Sequence, residues 1–217
     1  MNRIQRSKLI IHRLDETFPN PPIPLYHNNA FTLLVSVLLS AQSTDKKVNE
    51  LTPELFKHGN SAKDLYKLGE KHIYSYIKQL GLANTKAKNI FKLSKIILNK
   101  YQNEVPKELS LLESLPGVGH KTASVVMAQA FGVPSFPVDT HIHRLAQRWG
   151  LTSGKNVRET EKDLKKIFPK EKWNKLHLQI IYYGRAYCSA RGCDGTRCDI
   201  CKELYPLRKK PFIHTKA

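Results

Sequence analysis

"LPGVGHKTASVV", residues Leu115 to Val126, sets two glycines one residue apart after a proline, then a lysine, then an apolar helical run. The stretch is too short for a dinucleotide fingerprint, and no strand pattern precedes it. Helical periodicity flanks it on both sides, so it reads as the turn of a helix–hairpin–helix. Gly117 and Gly119 permit a tight turn, including positive φ, and keep side chains off the backbone amides. Those N–H groups and the start of the following helix form a cradle for a phosphate, a contact blind to base sequence. A plain interhelical turn is the other reading of the glycines alone.

The helical period extends outward from the hairpin. Apolar residues recur at three- and four-residue spacing at Ile4, Ile11, Leu14 and Phe18, at Val48, Leu51, Leu55 and Phe56, and at Ile90, Leu93, Ile96 and Ile97. No stretch shows sustained strand alternation. Breaks fall at "NPPIP" (20–24), Asn60-Ser61, Gly81, Pro106, Pro116, Pro134 and Pro169. The chain is therefore expected to be all-α, with about ten helices of modest length joined by short turns. At 217 residues it can bury a real core without disulfides.

Charge narrows the partner. Lys and Arg number 36 against 18 Asp and Glu, a formal +18, with a pI near 9.8. Such an excess attracts a polyanion, most often nucleic acid, although a solubilising surface is the bland alternative. The cations are spread along the chain rather than gathered on one amphipathic segment, which argues against a peripheral membrane protein. The most apolar stretch, Phe31 to Ala41, has 11 residues, short of the roughly 20 needed to span a bilayer, and reads as a buried helix. The first residues lack an apolar export core, so a reducing cytoplasm is expected. There, four cysteines confined to positions 188–201 favour metal over disulfides.

Lys121 falls in the first turn of the helix after the hairpin, where the macrodipole disfavours a cation. That position, together with any burial, exposes the amine lone pair needed for Schiff-base chemistry; a phosphate contact is the equal alternative. Eighteen residues on, Asp139 in "FPVDTHIHRL" stands just before another helical run. It reads first as an N-cap, and capping with one oxygen leaves the other for chemistry. A carboxylate opposite a nucleophilic amine can take its proton or stabilise a developing oxocarbenium ion.

With "LSAQSTD" (39–45), "GLANTKA" (81–87), "LPGVGHKTA" (115–123) and "VDTHIHR" (138–144), the sequence resembles the endonuclease III family of DNA base-excision glycosylases over roughly residues 1 to 205. The resemblance implies a two-lobed helix–hairpin–helix glycosylase fold. It puts a central bundle at residues 21–130 and a second lobe at 1–20 plus 131–205, with a basic, frayed tail at 206–217. It implies that Lys121 attacks the deoxyribose C1′ of an oxidised pyrimidine nucleotide, that Asp139 assists, and that the strand then breaks 3′ to the lesion by β-elimination. Duplex DNA with damaged or abasic sites is the implied partner, with the protein a monomer at the cytoplasmic nucleoid. Extruding a nucleotide leaves a hole in the stack. Gln42 and Leu82 match the family's plugging residues, an amide beside an aliphatic wedge; core packing is the alternative for Leu82. Gly117, Gly119, His141 and Arg144 complete the implied DNA contacts. The related adenine-specific mismatch glycosylases lack a lysine at the position of Lys121, so a bifunctional glycosylase and lyase is expected. A non-catalytic DNA-binding module, or a glycosylase for a mismatched base or oxidised purine, are the rivals.

The cysteines depart from the family pattern. Cys188, Cys193, Cys198 and Cys201 give C-x4-C-x4-C-x2-C, where the family spacing is C-x6-C-x2-C-x5-C around a [4Fe–4S] cluster. Aligning Cys188 with the first ligand and Cys198 and Cys201 with the middle pair leaves Leu207 where a fourth cysteine should stand. Cys193 is then expected to replace it as a cluster ligand. Four thiolates also suit zinc, although structural zinc pairs are usually farther apart in sequence. Arg191 and Arg197 of the same loop are candidate phosphate contacts. His120, His141 and His143 form no ligand set with the cysteines.

Overall fold

The computed structural model describes residues 1–215, and every regular element among them is helical. In chain order these are α1 (Arg3–Thr17), α2 (Ala30–Ser40), α3 (Asp45–His58), α4 (Ala62–Leu68), α5 (Glu70–Ile77), α6 (Ala83–Lys100) and α7 (Leu109–Glu113). There follow α8 (His120–Phe131), α9 (Thr140–Arg148), α10 (Val157–Ile167), a 3-10 turn at Lys170–Lys172, α11 (Trp173–Ala186) and α12 (Asp199–Leu204). The twelve α-helices among the described residues exceed the ten expected by two, and α7 and α12, of 5 and 6 residues, account for the surplus. Neither completes two turns, so neither carries a readable period. Two compact units result, Ile23–Val133 and Met1–Pro22 with Pro134–Ala217.

In the Ile23–Val133 unit, α2 is apolar on all sides and Phe31–Leu39 is buried throughout, as expected for that stretch. Asn29 fixes its start: its side chain accepts from the Thr32 N–H at 2.9 Å, and its own N–H donates to Thr32 Oγ1 at 2.9 Å. α2 packs on α8, and α4 and α5 pack on α6. The buried face of α6 runs through Ala83, Ala87, Ile90, Leu93 and Ile97.

The other unit joins α1 to α9–α12. The buried stripe of α1 is Ser7, Ile10 and Leu14, whereas Ile4, expected on that face, is exposed. α1 packs on α11, and Asp15 ties the two through Lys175 at 2.6 Å and Gln179 at 2.9 Å. α9 also lies on α11, and Phe136 stacks on Phe168 with centroids 5.8 Å apart. The tail, expected to fray, is strapped down as far as Thr215. Arg6 and Arg208 both pack on the Tyr205 ring, at 4.6 and 3.7 Å. Arg208 Nη1 donates to the Arg148 and Gly195 carbonyls, the Phe212 N–H donates to Asp194 O, and the Thr215 N–H donates to Gln147 Oε1. Lys216 and Ala217 lie outside the described residues. No helix among the described residues is long and apolar enough to cross a membrane.

Candidate functional site

The hairpin between α7 and α8 is held from below by Leu115 and Val118, both buried, with the Val118 N–H donating to Leu115 O at 3.1 Å. Its two glycines differ in what the protein asks of them. Gly117 has φ +79°, and a Cβ there would stand 2.7 Å from Asn89 Nδ2 of α6. Gly119 is extended, at φ −94°, and caps α8; a Cβ there would meet nothing within 4 Å. The protein itself therefore places no steric demand on Gly119. The α8 ladder begins with the Ala123 N–H on Gly119 O, so the N–H groups of the preceding residues stand ahead of it. Lys121 is the second residue of α8, and it is exposed. The desolvation that burial would have brought is therefore absent, and its place at the helix start is what sets it apart. His120 Nδ1 lies 2.6 Å from the Glu113 carboxylate, joining α8 to α7.

In the same unit four non-glycine residues adopt left-handed backbone, Gln102 and Asn103 after α6 and, in two other turns, Gln42 at φ 54° and Leu82 at φ 60°. Gln42 and Leu82 are exposed, Leu82 at 56%. A branched aliphatic side chain is uncommon in this region and costs about 1 kcal/mol or more there. Their turns also meet, since a Cβ on Gly81 would lie 3.3 Å from Gln42 O. The exposure of Leu82 removes core packing as the reason for its presence.

Asp139, His141 and Arg144 belong to the other unit. Asp139 caps α9, its Oδ1 accepting from the Ile142 N–H at 2.8 Å, and the carboxylate is half-buried. His141 is half-buried, with Nδ1 3.3 Å from Arg144 Nη2. Arg144 departs from the expected DNA contact. It is buried, and its Nη2 donates to the Gly184 and Cys188 carbonyls at 3.1 Å each. Its guanidinium is committed to holding the entry of the cysteine loop, so a phosphate cannot reach it there.

All four cysteines are buried, and their sulfurs lie within 4.8 Å of one another. Leu207, at the position of the family's fourth ligand, is 89% exposed. Thiols so crowded cannot all ionise alone: Cys198 is held well below the usual thiol range by hydrogen bonds from Cys188 and Cys201, while Cys188 and Cys201 are pushed up. A cation would take up the remaining charge. Arg148, one turn after Arg144, is buried too and donates from Nη1 to Ser189 O at 2.9 Å and to Cys188 Sγ at 3.4 Å. Burial, then repulsion from Arg148, pushes the Arg144 guanidinium down. Two buried guanidiniums beside four thiols fit a metal centre that is negative overall. Arg191 and Arg197 of this loop are exposed.

A family model described as HhH-GPD superfamily base excision DNA repair protein matches residues 35–170. Curated relatives named Endonuclease III include one from Rickettsia felis, 44% identical over 211 residues (94% of this chain, 97% of the relative). Another, from Escherichia coli K12, is 43% identical over 215 residues (98% and 100%). The chain belongs to the endonuclease III family. A non-covalent endonuclease III–DNA complex superposes with a TM-score of 0.88 at 38% identity, covering 97% of this chain and all of that one. A trapped endonuclease III–DNA covalent intermediate superposes at 0.86 and 37%, covering 96% and 100%.

Against the endonuclease III pattern, three features of this chain escaped sequence reasoning. Lys86 is buried, although its place four residues before Ile90 on the apolar face of α6 was a readable signal. The Arg148 clamp had none, because all but one of its acceptors are backbone atoms of an irregular loop. The strapped tail had none either, its composition being that of a solvated segment.

Proposed function

We propose that this protein excises oxidised pyrimidines from duplex DNA and then cleaves the strand as an abasic-site lyase. The observation that carries the reading is the start of α8, where an uncovered Gly119 precedes the exposed Lys121 by two residues. Relatives solved in complex with DNA, one trapped as a covalent intermediate, support it.

In this reading the hairpin amides and the positive end of α8 hold a phosphate beside the lesion. The damaged nucleotide leaves the stack, and Gln42 and Leu82 fill its place. His141 adds a DNA contact near the start of α9. The Lys121 amine attacks C1′ as the bond from C1′ to the base breaks, the base departing with the bonding pair. Asp139 accepts the amine proton and stabilises positive charge at C1′. The C1′–O4′ bond then opens, O4′ leaving with the bonding pair and taking up a proton, which turns the adduct into an imine between Nζ and C1′ that acidifies C2′; loss of a C2′ proton expels the 3′ phosphate, and water then releases the lysine. The protein works as a monomer at damaged or abasic sites of nucleoid DNA in the cytoplasm.

The four thiols are read as ligands of a [4Fe–4S] cluster, whose part is to close the 188–201 loop and which supplies no bond-making step. Cys193 takes the place of the absent fourth family ligand. Tetrahedral zinc, with Zn–S about 2.3 Å, would set the sulfurs about 3.8 Å apart, inside the observed 4.8 Å limit, whereas a cubane, with a different iron under each sulfur, needs them to move farther apart. Iron and zinc per chain in anaerobically purified protein decide: iron is expected, and zinc without iron overturns the cluster. For the chemistry, borohydride should trap wild type on a duplex containing thymine glycol. No adduct, or an undiminished one with Lys121→Ala, overturns the lysine mechanism.

A further inference from the structure

Lys86 is only 3% exposed, yet its ammonium reaches two neutral oxygens rather than solvent. Nζ donates to Leu39 O and to Ser43 Oγ, each at 2.9 Å. Leu39 is the penultimate residue of α2, where backbone carbonyls have lost their helical donors and a cation is favoured. Ser43 lies in the turn that follows. The two acceptors thus flank Gln42 on both sides. Lys86 itself sits on the first turn of α6, its N–H donating to Leu82 O at 2.9 Å. One side chain consequently links the turn bearing Gln42 to the helix start bearing Leu82, and these are the two exposed residues of the pair of touching turns that hold left-handed backbone. Burial pushes the Lys86 amine down from its ordinary range. A Leu or Met would pack such a site at no desolvation cost, so packing alone does not explain a lysine there.

We infer that Lys86 is a positioning residue that fixes the spacing between Gln42 and Leu82, so that the two enter the DNA stack as one rigid wedge. The inference rests on the wedge reading of those residues. Without the ammonium, the end of α2 and the 41–44 turn each lose a tie to α6, at Leu39 O and Ser43 Oγ, and each left-handed turn relaxes independently. A loose wedge still binds DNA but holds the opened stack poorly.

The test uses full-length protein and a duplex carrying a tetrahydrofuran abasic analogue opposite 2-aminopurine, whose fluorescence rises when it is unstacked. Wild type, Leu82→Ala, Lys86→Met and Ser43→Ala are compared for that rise, for affinity on this duplex and on an undamaged one, and for melting temperature. Lys86→Met should lose most of the fluorescence rise and about tenfold in affinity for the abasic duplex, with undamaged-duplex affinity unchanged. Ser43→Ala, which keeps the lysine and one tie, should lose roughly threefold in abasic-duplex affinity and decides the matter if Lys86→Met does not fold. A lowered melting temperature with full fluorescence, or equal weakening on both duplexes, overturns the positioning role. If Leu82→Ala itself leaves the fluorescence unmoved, it is the wedge reading that fails.

Discussion

The Arg148 guanidinium lies 3.4 Å from the Cys188 sulfur and donates to the Cys188 carbonyl at 3.3 Å. With its further bonds to Ser189 and Ala190, it organises the first turn of the cysteine loop. Arg148→Leu removes one donor from each of these carbonyls and the contact on the Cys188 sulfur, leaving Cys188 O to Arg144 and Ser189 O to the Cys193 N–H. The expected cost is about 3 kcal/mol, read as a lower melting temperature together with less bound metal per chain. Full metal content in a destabilised variant would separate the arginine from the centre.

Asp139→Asn should divide capping from chemistry. Asparagine caps a helix about as well as aspartate, so the stability change should stay within about 0.5 kcal/mol. Base release should fall by on the order of a hundredfold or more, because an amide can neither take a proton nor carry negative charge. Binding to an abasic analogue should survive. A proportional loss of binding and stability would make Asp139 a cap and nothing else.

The two hairpin glycines should respond in opposite ways to alanine. Gly117→Ala forces a Cβ into positive φ and against Asn89, and should lower stability by about 2 kcal/mol. Gly119→Ala meets no protein atom, so melting should be unchanged while affinity for DNA falls by about tenfold. Unaltered binding by a folded Gly119→Ala protein would argue against a phosphate at that spot.

Acid should loosen the packing of α1 on α11 through Asp15. Partial burial alone would raise its carboxyl, but hydrogen bonds from Lys175, Gln179 and Lys172 bring it down to about 2. The folded-state value thus lies below the unfolded one of about 4, so the stabilisation is complete above pH 4 and is lost as the pH falls toward 2. Solvent screening of a carboxyl one-third exposed holds the effect to about 1 kcal/mol. Denaturant titrations of wild type and Asp15→Asn should therefore converge across that window.

Much of this was legible because short-range patterns suffice for it. The burial of Phe31–Leu39 follows from an uninterrupted apolar run, and the need for Gly117 follows from the tightness of its turn. Asp139 as a cap was readable from its place before a helical run. Long-range partners were not. The resemblance implied a DNA contact for Arg144, and nothing local announces that its guanidinium reaches the Gly184 carbonyl of α11, 40 residues on. Left-handed Gln42 and Leu82 escaped too, since their residue types disfavour that conformation.

The unit made from Met1–Pro22 and Pro134–Ala217 imposes an order on synthesis. Helix α1 leaves the ribosome before any of its packing partners exist. At about 5 to 20 residues per second, the intervening Ile23–Val133 unit takes roughly 5 to 25 s to make. During that interval the latter can close on its own core, while Ile10 and Leu14 remain exposed to water. The cysteine loop comes later still, and its strap last of all. Any metal that the four thiols take up is therefore bound late, when segments made far apart in time first meet.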